Sequence, residues 1–452
     1  LIFSADPINL KYLISPSFRS TPRGRTKGRK EEAKVRNRII LWAAAVLLLS
    51  ASLGAQDLVL KGGTVLTITN GIIENGTVVI RKGKIHAVGR DIQVPAGMKV
   101  IDTTGKFVMP GIIDSHSHIA LTDVNEATDP VTPQIWMNEA LEPFSDSIRK
   151  TLAGGVTTVK TMHGSANVIG GVNVTVKLKY GTSVEEMTVN GVRPQLKMAL
   201  GENPKRLYGG KGRIPSTRMG NAYVMRKAFI ETREYMQKWN AYEKKKAEGK
   251  DVSPPKKDLK METLKMVLEK KLAADCHAYR ADEIVWVIHF CEEFGIDLLQ
   301  ISHCIDGYKI ADVLAETGVA YGGWVDWWGF KEEAYDGSPY GMQILYDAGA
   351  KIVINSDSPD EGRYLFLNAA KVLKYNDIPE NEVLKMITLN PAESLEMKDR
   401  AGSLEAGKDG DIAVFDKHPL DSTTKCLMTI IEGKVYFDYA KDSITAEGAG
   451  DE

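Results

Sequence analysis

Hydrophobic residues along the chain fall into two textures. Between Asp57 and Ile101 they form short runs broken by Gly/Asn turns: Leu58-Val59-Leu60, Gly63-Thr64-Val65-Leu66, Thr77-Val78-Val79-Ile80 and Lys84-Ile85-His86-Ala87-Val88. Runs of this length bounded by turn residues predict β-strands. The same texture returns beyond Gly402, at Asp411–Phe415 and Met428–Tyr436. Neither block is large enough to close a sheet alone. The two chain ends, 56–109 and 401–440, are therefore expected to meet in one small β-sandwich that clamps the intervening chain.

The intervening residues, 110–400, alternate between strand-like and helix-like patterns. Apolar strands read at Ile112–His118, Thr157–Met162, Asn173–Leu178, Gln195–Leu200, Ala273–His277, Asp297–His303, Val319–Tyr321 and Lys351–Ser356. Helical segments such as Phe144–Leu152, Ile284–Phe294, Ile310–Glu316 and Met342–Asp347 sit between many of them. Eight strands alternating with helices predict an α/β fold, a parallel (β/α)8 TIM barrel. One interruption, Met219–Lys271, is rich in Lys, Glu and Arg and reads as two helices with a polar joint at Gly249–Pro255. It is either a lid over the barrel mouth or a solvated helical excursion.

Composition narrows this picture only slightly. The chain has 452 residues, 43% of them hydrophobic, enough for a large core, and a net charge of −1. That balance implies no polyanion-binding surface, so nucleic acid is not an expected partner. Four cysteines without CxxC spacing indicate neither a zinc ribbon nor a disulfide framework. Residues 1–34 are basic and lack periodicity, which predicts disorder. Arg36 and Arg38 then precede an apolar run, Ile39–Leu53, that ends in small residues. This is the layout of a secretory signal peptide, and the run is short for a membrane span; a tethering signal anchor is the alternative. With no methionine before Met98, residues 1–34 are expected to be upstream sequence, Val35 being a candidate non-AUG start. Residues 1–55 then form a leader and signal peptide, 441–452 a tail, and the product is expected to be periplasmic or secreted, without a stable membrane span after cleavage.

The stretch that changes the functional picture is VMPGIIDSHSHIAL (108–121). On a strand, side chains alternate, so His116 and His118 point to one side. Two converging imidazoles are a metal-chelating arrangement. Glu202, His277, His303 and Asp357 also fall at or just after the ends of expected strands, where barrel chemistry collects.

Seven further segments accompany PGIIDSHSH (110–118): GVTTVKTM (155–162), LKMALGENPKR (196–206), DCHAYRADEI (275–284), LLQISHCIDGYKIAD (298–312), INSDSP (354–359), NPAESLEM (390–397) and GSLEAGKDGDIAVFDKHPLD (402–421). With these motifs in this order the chain resembles the amidohydrolase superfamily of metal-dependent hydrolases, most nearly its secreted imidazolonepropionase-related branch. The resemblance implies that His116, His118 and Asp357 hold one metal ion, and His277 and His303 a second. A carboxylate at Glu202, or a carbamylated Lys197, would join them. Alternation places 197 and 202 on opposite faces, and Glu202 is favoured because it lies at the mouth and needs no modification. Zn2+, two ions, suits imidazole and carboxylate ligands, although other divalent transition metals fit.

The chemistry expected is hydrolysis of an amide bond in a small molecule. A metal lowers the pKa of bound water to about 7, and Asp357 serves as general base and then acid towards the leaving nitrogen. Peptides or N-acyl amino acids are the expected substrates. The alternatives are a mononuclear cyclic-amide hydrolase or deaminase, and a non-catalytic scaffold. Substrate contacts are assigned to His163, Arg206, Tyr279, Arg280 and Trp324. Asp114 is expected to orient the metal-directed histidines. Cys276 and Cys304, flanking His277 and His303, are expected to face the helix layer. A homo-oligomer is compatible with everything above.

Overall fold

A computed structural model describes residues 57–442; the leader and signal peptide expected at 1–55, and the end of the tail, lie outside the described residues. The described residues begin with five strands: β1 (Leu58–Leu66), β2 (Ile72–Arg81), β3 (Lys84–Gly89), β4 (Lys99–Asp102) and β5 (Phe107–Pro110). The central body then supplies β6 (Ile112–Ser117), β7 (Val156–Thr161), β8 (Ile169–Val172), β9 (Val174–Lys177), β10 (Gln195–Ala199), β11 (Ala273–Ala278), β12 (Leu298–His303), β13 (Ala320–Gly323) and β14 (Ile352–Ile354). The chain returns through β15 (Ile412–Phe415), β16 (Cys426–Ile431) and β17 (Lys434–Asp438).

The two chain ends do meet. Their strands form one hydrogen-bonded sheet in the order β17-β16-β15-β5-β1-β2-β3, with β4 also pairing β1. The junction is the antiparallel ladder of β15 on β5, Ile412 opposite Pro110 and Phe415 opposite Phe107. Leu58, Leu60, Val108, Ile412 and Ile430 are buried together under this sheet, so apolar residues from both ends share one core.

The body has the TIM-barrel fold. β6 and β7 pair in parallel, as do β10 through β14 in sequence order. One stave departs from the expected parallel order. β9 runs antiparallel to β7 and β8 antiparallel to β10, so the extended chain 169–177 fills the gap between them in reverse. The cause is the connection, residues 162–168, which is too short for the crossover of a dozen or more residues that a parallel return requires. The seam between β14 and β6 is closed by single bonds: Asp357 N donates to His116 O (2.9 Å), Ile113 N to Ile387 O (2.9 Å) and Ile354 N to Met386 O (3.0 Å).

The reversal of β9 has a consequence for packing. Its last residue, Lys177, pairs with Thr158 near the start of β7, so its side chain reaches the end sheet. There its Nζ lies 2.6 Å from Asp409, 3.0 Å from Asp411 and 2.9 Å from Glu432. All of these except the partly exposed Glu432 are buried. A four-residue ionic hub thus ties the barrel to the sheet.

The insertion forms the two expected helices, Arg218–Ala247 and Leu259–Leu268. Phe229 of the first packs on Phe290 and Phe294 of the barrel helix Ala281–Phe294. The insertion therefore covers the barrel flank, and its Arg218 is the part that reaches the mouth, through Glu283 and Glu333. No helix among the described residues is long and apolar enough to cross a membrane. All four cysteines are free and buried.

Candidate metal centre

β6 carries Asp114 and His116 on its inward side, and His118 follows at its end. The His116 and His118 rings stand perpendicular, 5.3 Å apart. Asp357, just past β14, turns back towards them through a left-handed backbone (φ +50). Its Oδ1 lies 3.0 Å from His116 Nε2 and 3.3 Å from His118 Nε2. These three side chains present ligand atoms all within 4.8 Å of one another. His303 also has a left-handed backbone (φ +77), as does Cys304 (φ +44), a conformation that costs about 1–3 kcal/mol per non-glycine residue. His303 Nδ1 lies 3.8 Å from Asp357 Oδ2. The His277 and His303 ring centroids are 4.3 Å apart. Three side chains thus form a tight group at the ends of two strands, and His303 and His277, at the ends of two more, stand beside it.

The hydrogen-bond pattern tests whether a cation fits there. Both ring nitrogens of His116 and of His277, Nδ1 of His303 and Nζ of Lys197 are buried without a hydrogen-bond partner among the described residues. Leaving one buried polar group unsatisfied costs about 1–3 kcal/mol, so a cluster of them marks a place where something else binds. His116 Nε2 and Asp357 are close without hydrogen-bond alignment, and their 3.0 Å separation approaches the edge of about 3.3 Å expected for a tetrahedral zinc shell. His118 Nδ1 bonds Met162 O at 2.9 Å, which selects the tautomer whose Nε2 is free to ligate. Burial, then the Lys197 charge, push His116 down to about 4. Burial also holds His277 and His303 well below the usual histidine value. At neutral pH these rings are neutral, the state that binds a divalent metal.

Beneath the cluster lies a layer of buried polar side chains. Asp114 accepts from Ser356 Oγ (2.5 Å) and from the backbone N–H groups of His116 and Ser356 (3.2 Å each). It thereby locks β6 to the loop carrying Asp357 through backbone and Ser356 and bonds no histidine ring, so it holds the strand rather than orienting the imidazoles as expected. Burial raises its carboxyl to about 6. Asp275 accepts from Lys160 Nζ (2.8 Å) and Ser302 Oγ (2.7 Å), and Lys197 Nζ lies 3.7 Å from its other side. Lys197 thus points into the barrel centre, where its charge bears on His116, His277 and His303.

Glu202 is placed elsewhere. β10 ends at Ala199, Gly201 follows with a φ of +82, and Glu202 opens the helix Glu202–Gly210. Its carboxylate lies 3.7 Å from Arg206 and 3.8 Å from Lys331, outside the His116/His118/Asp357 group. Glu202, expected from its place at the mouth to join the two metal positions, thus sits outside the three-residue group, while Lys197 lies buried beside Asp275.

The expected substrate contacts divide. Tyr279 stacks on His303 (4.9 Å, 18°), and Trp324 lies 4.8 Å from the same ring, so both wall the centre. Arg206 projects outward with 74% of its side chain exposed. Arg280 is exposed and engages Asp282 through two nitrogens, at 2.9 and 3.1 Å. His163 is buried, accepts from Glu126 N (3.0 Å) and bonds Gly164 O (2.9 Å). With both ring nitrogens occupied, it braces the loop that follows β6 and has no free donor or acceptor for substrate. Replacing His163 by alanine is expected to destabilise the protein by about 1–3 kcal/mol, through the unpaired Glu126 N–H, with kcat little changed; denaturant unfolding beside an activity assay checks this. Sequence reasoning missed Lys331. Its Nζ lies 3.7 Å above the Tyr279 ring and 3.3 Å from Glu333. It stands in an irregular loop after β13, where no periodicity marks an inward position.

Comparison with known proteins bears on the family and the fold. A model of the amidohydrolase family matches residues 340–438. The crystal structure of an amidohydrolase from Thermotoga maritima MSB8 superposes with a TM-score of 0.78 at 38% sequence identity, covering 84% of this chain and 100% of that one. The amidohydrolase tasK of Hapsidospora irregularis is 30% identical over 396 residues, 80% of this chain; the match spans only 40% of that relative's length. A 5-methylthioadenosine/S-adenosylhomocysteine deaminase of Desulforamulus reducens is 23% identical over 400 residues, 79% of this chain and 85% of the relative.

Proposed function

The chain belongs to the amidohydrolase superfamily, and from that premise we propose that it is a metal-dependent hydrolase cleaving the C–N bond of a small amide, with peptides or N-acyl amino acids as the substrate class. The observation that carries the reading is the convergence of His116, His118, His277, His303 and Asp357 with most of their buried ring nitrogens unpartnered. A non-catalytic scaffold gains nothing from that cost.

We assign His116, His118 and Asp357 to one divalent ion and His277 with His303 to a second, zinc suiting this donor set best. When bound, such ions acidify a water and polarise the scissile carbonyl. Asp357 accepts the proton of the attacking water and returns it to the departing nitrogen, which leaves poorly as an anion. Tyr279 and Trp324 wall the His303 side and exclude bulk water. Lys197, buried and without a hydrogen-bond partner among the described residues, would join the two ions if its Nζ took up CO2 and lost a proton to become a carbamate. The prediction is that Lys197→Met lowers the zinc content of the purified protein from two equivalents to one, read by elemental analysis.

A second reading, a mononuclear deaminase or cyclic-amide hydrolase of the imidazolonepropionase-related kind, is favoured by one observation: the tight group contains three side chains, His116, His118 and Asp357. The match to a deaminase over 79% of this chain and 85% of that relative points the same way. One experiment separates the two. Zinc-loaded protein is assayed for metal content and screened against dipeptides, acylated amino acids, cyclic imides and aminopurine nucleosides. Two equivalents with amide hydrolysis support the first reading, and one equivalent with ammonia release supports the second. Inactivity of fully metallated protein on every class overturns both.

A further inference from the structure

Apart from the metal-directed cluster, the described residues form a groove of about 610 Å³ where the helix Asp146–Leu152, the turn Glu361–Tyr364 and strands β16 and β17 come together. Its floor is apolar and buried, made by Phe366, Cys426 and Phe437. Its volume falls in the range of about 300–1,000 Å³ typical of small-molecule sites. It shares no lining residue with the metal-directed cluster.

The rim is cationic. Arg149, Arg363 and Lys425 line the groove against a single carboxylate, Asp442. Each cation stands beside a tyrosine ring: Arg149 at 5.7 Å from Tyr180, Arg363 at 4.6 Å from Tyr364 and Lys425 at 5.7 Å from Tyr439. Among the described residues, Arg363 and Lys425 have no carboxylate within 4.0 Å, and Arg149 has only Asp146, at 3.9 Å. Arg363 Nε is buried with no hydrogen-bond acceptor among the described residues. The backbone of Arg363 is fixed by close packing, since a Cβ on Gly154 would lie 2.4 Å from its carbonyl oxygen. Three cations on one rim, facing a single carboxylate and with the backbone at Arg363 held by close packing, make the groove complementary to an anionic head group.

We propose that this groove is a second binding site, for an amphipathic carboxylate of the fatty-acid type. The acyl tail lies on the Phe366/Phe437 floor and the carboxylate meets Arg363, with Lys425 adding its charge at the rim. The apolar floor excludes a simple inorganic anion as the fitting ligand, and the cation excess excludes a neutral or cationic amphiphile. The site is independent of the hydrolytic reading and stands if that reading fails.

The test is isothermal titration calorimetry on the full zinc-loaded chain with laurate, dodecanol, dodecylammonium and acetate. Laurate binds saturably in the micromolar range, dodecanol and dodecylammonium at least about tenfold more weakly, and acetate not at all. Arg363→Met and the solvent-exposed Lys425→Met each weaken laurate by about tenfold and leave dodecanol unchanged. The second variant guards against misfolding of the first. The proposal is overturned if laurate does not bind, if laurate and dodecanol bind alike, or if laurate binding survives both variants and disappears on zinc removal, which would put it at the metal centre.

Discussion

Replacing Asp357 by asparagine is expected to leave the chain folded and zinc-loaded while kcat falls by about 10²–10⁴-fold, the contribution of positioned acid–base catalysis. Asparagine preserves the shape of the side chain and one oxygen donor, so the contacts with His116 and His118 at 3.0 and 3.3 Å survive in outline. What it removes is the ability to accept and return a proton. The Asp357 backbone is held independently of its carboxylate, by its N–H bond to His116 O and by the neighbouring Ser356 hydrogen bonds to Asp114. A loss of activity would therefore report chemistry rather than collapse. Zinc content and kcat, measured together on the best substrate of the screen, decide the matter: a metallated Asn variant with undiminished kcat removes Asp357 from proton transfer.

The second large effect concerns stability. Lys177→Met is expected to destabilise the protein by roughly 3–5 kcal/mol, the usual cost of removing one member of a buried ion pair. Burial works against the Lys177 charge, but Asp411, Asp409 and Glu432 more than offset it and hold the ammonium above the ordinary lysine value. Asp409 keeps Lys84 and Arg400 in the variant, whereas Lys177 is the cation that Asp411 contacts, so Asp411 is left as an uncompensated buried carboxylate. The pH dependence follows from the shifts. Asp409 and Glu432 are held below their ordinary values of 3.8 and 4.5, chiefly by Lys177 acting against burial. Their share of the stabilisation is present above those values and is lost as pH falls through the depressed folded ones. Lys177, raised from 10.5, contributes below that value and loses its share only as pH rises through its folded one. Asp411, raised by burial, opposes this at neutral pH and is relieved by acid. The difference in unfolding free energy between wild type and variant is thus largest between about pH 5 and 10 and shrinks towards pH 3. Urea titrations at pH 4 and pH 7.5 check it, and an equal midpoint for both proteins at pH 7.5 would refute the hub.

Much of this was legible without coordinates because it depends on local period. The strand alternation in IIDSHSH placed His116 and His118 on one side, and the structure keeps them there. The alternation of apolar strands with helical segments identified the barrel, and the paired β textures at the two ends identified the shared sheet. Position along the chain says less about which groups a side chain meets. Glu202 was favoured for its place at the mouth, yet β10 ends at Ala199 and the positive φ of Gly201 leads into a helix that opens with Glu202. His163 looked like a mouth residue by position, but its hydrogen bonds, made to backbone far along the chain and next to it, are invisible in a linear pattern.

The order of strands and helices, the His-x-His pair and the positions of His277, His303 and Asp357 at strand ends are properties of the chain itself, because alternation and turn chemistry act over a few residues. Which groups meet across the barrel was decided only by the fold. The reversed β9 carries Lys177 to Asp409, Asp411 and Glu432, the turn at Gly201 places Glu202 at the start of a helix beside Arg206 and Lys331, and Lys197 is left buried beside Asp275. Pairings between residues tens to hundreds of positions apart depend on strand direction and closure, and neither is written into any short stretch of sequence.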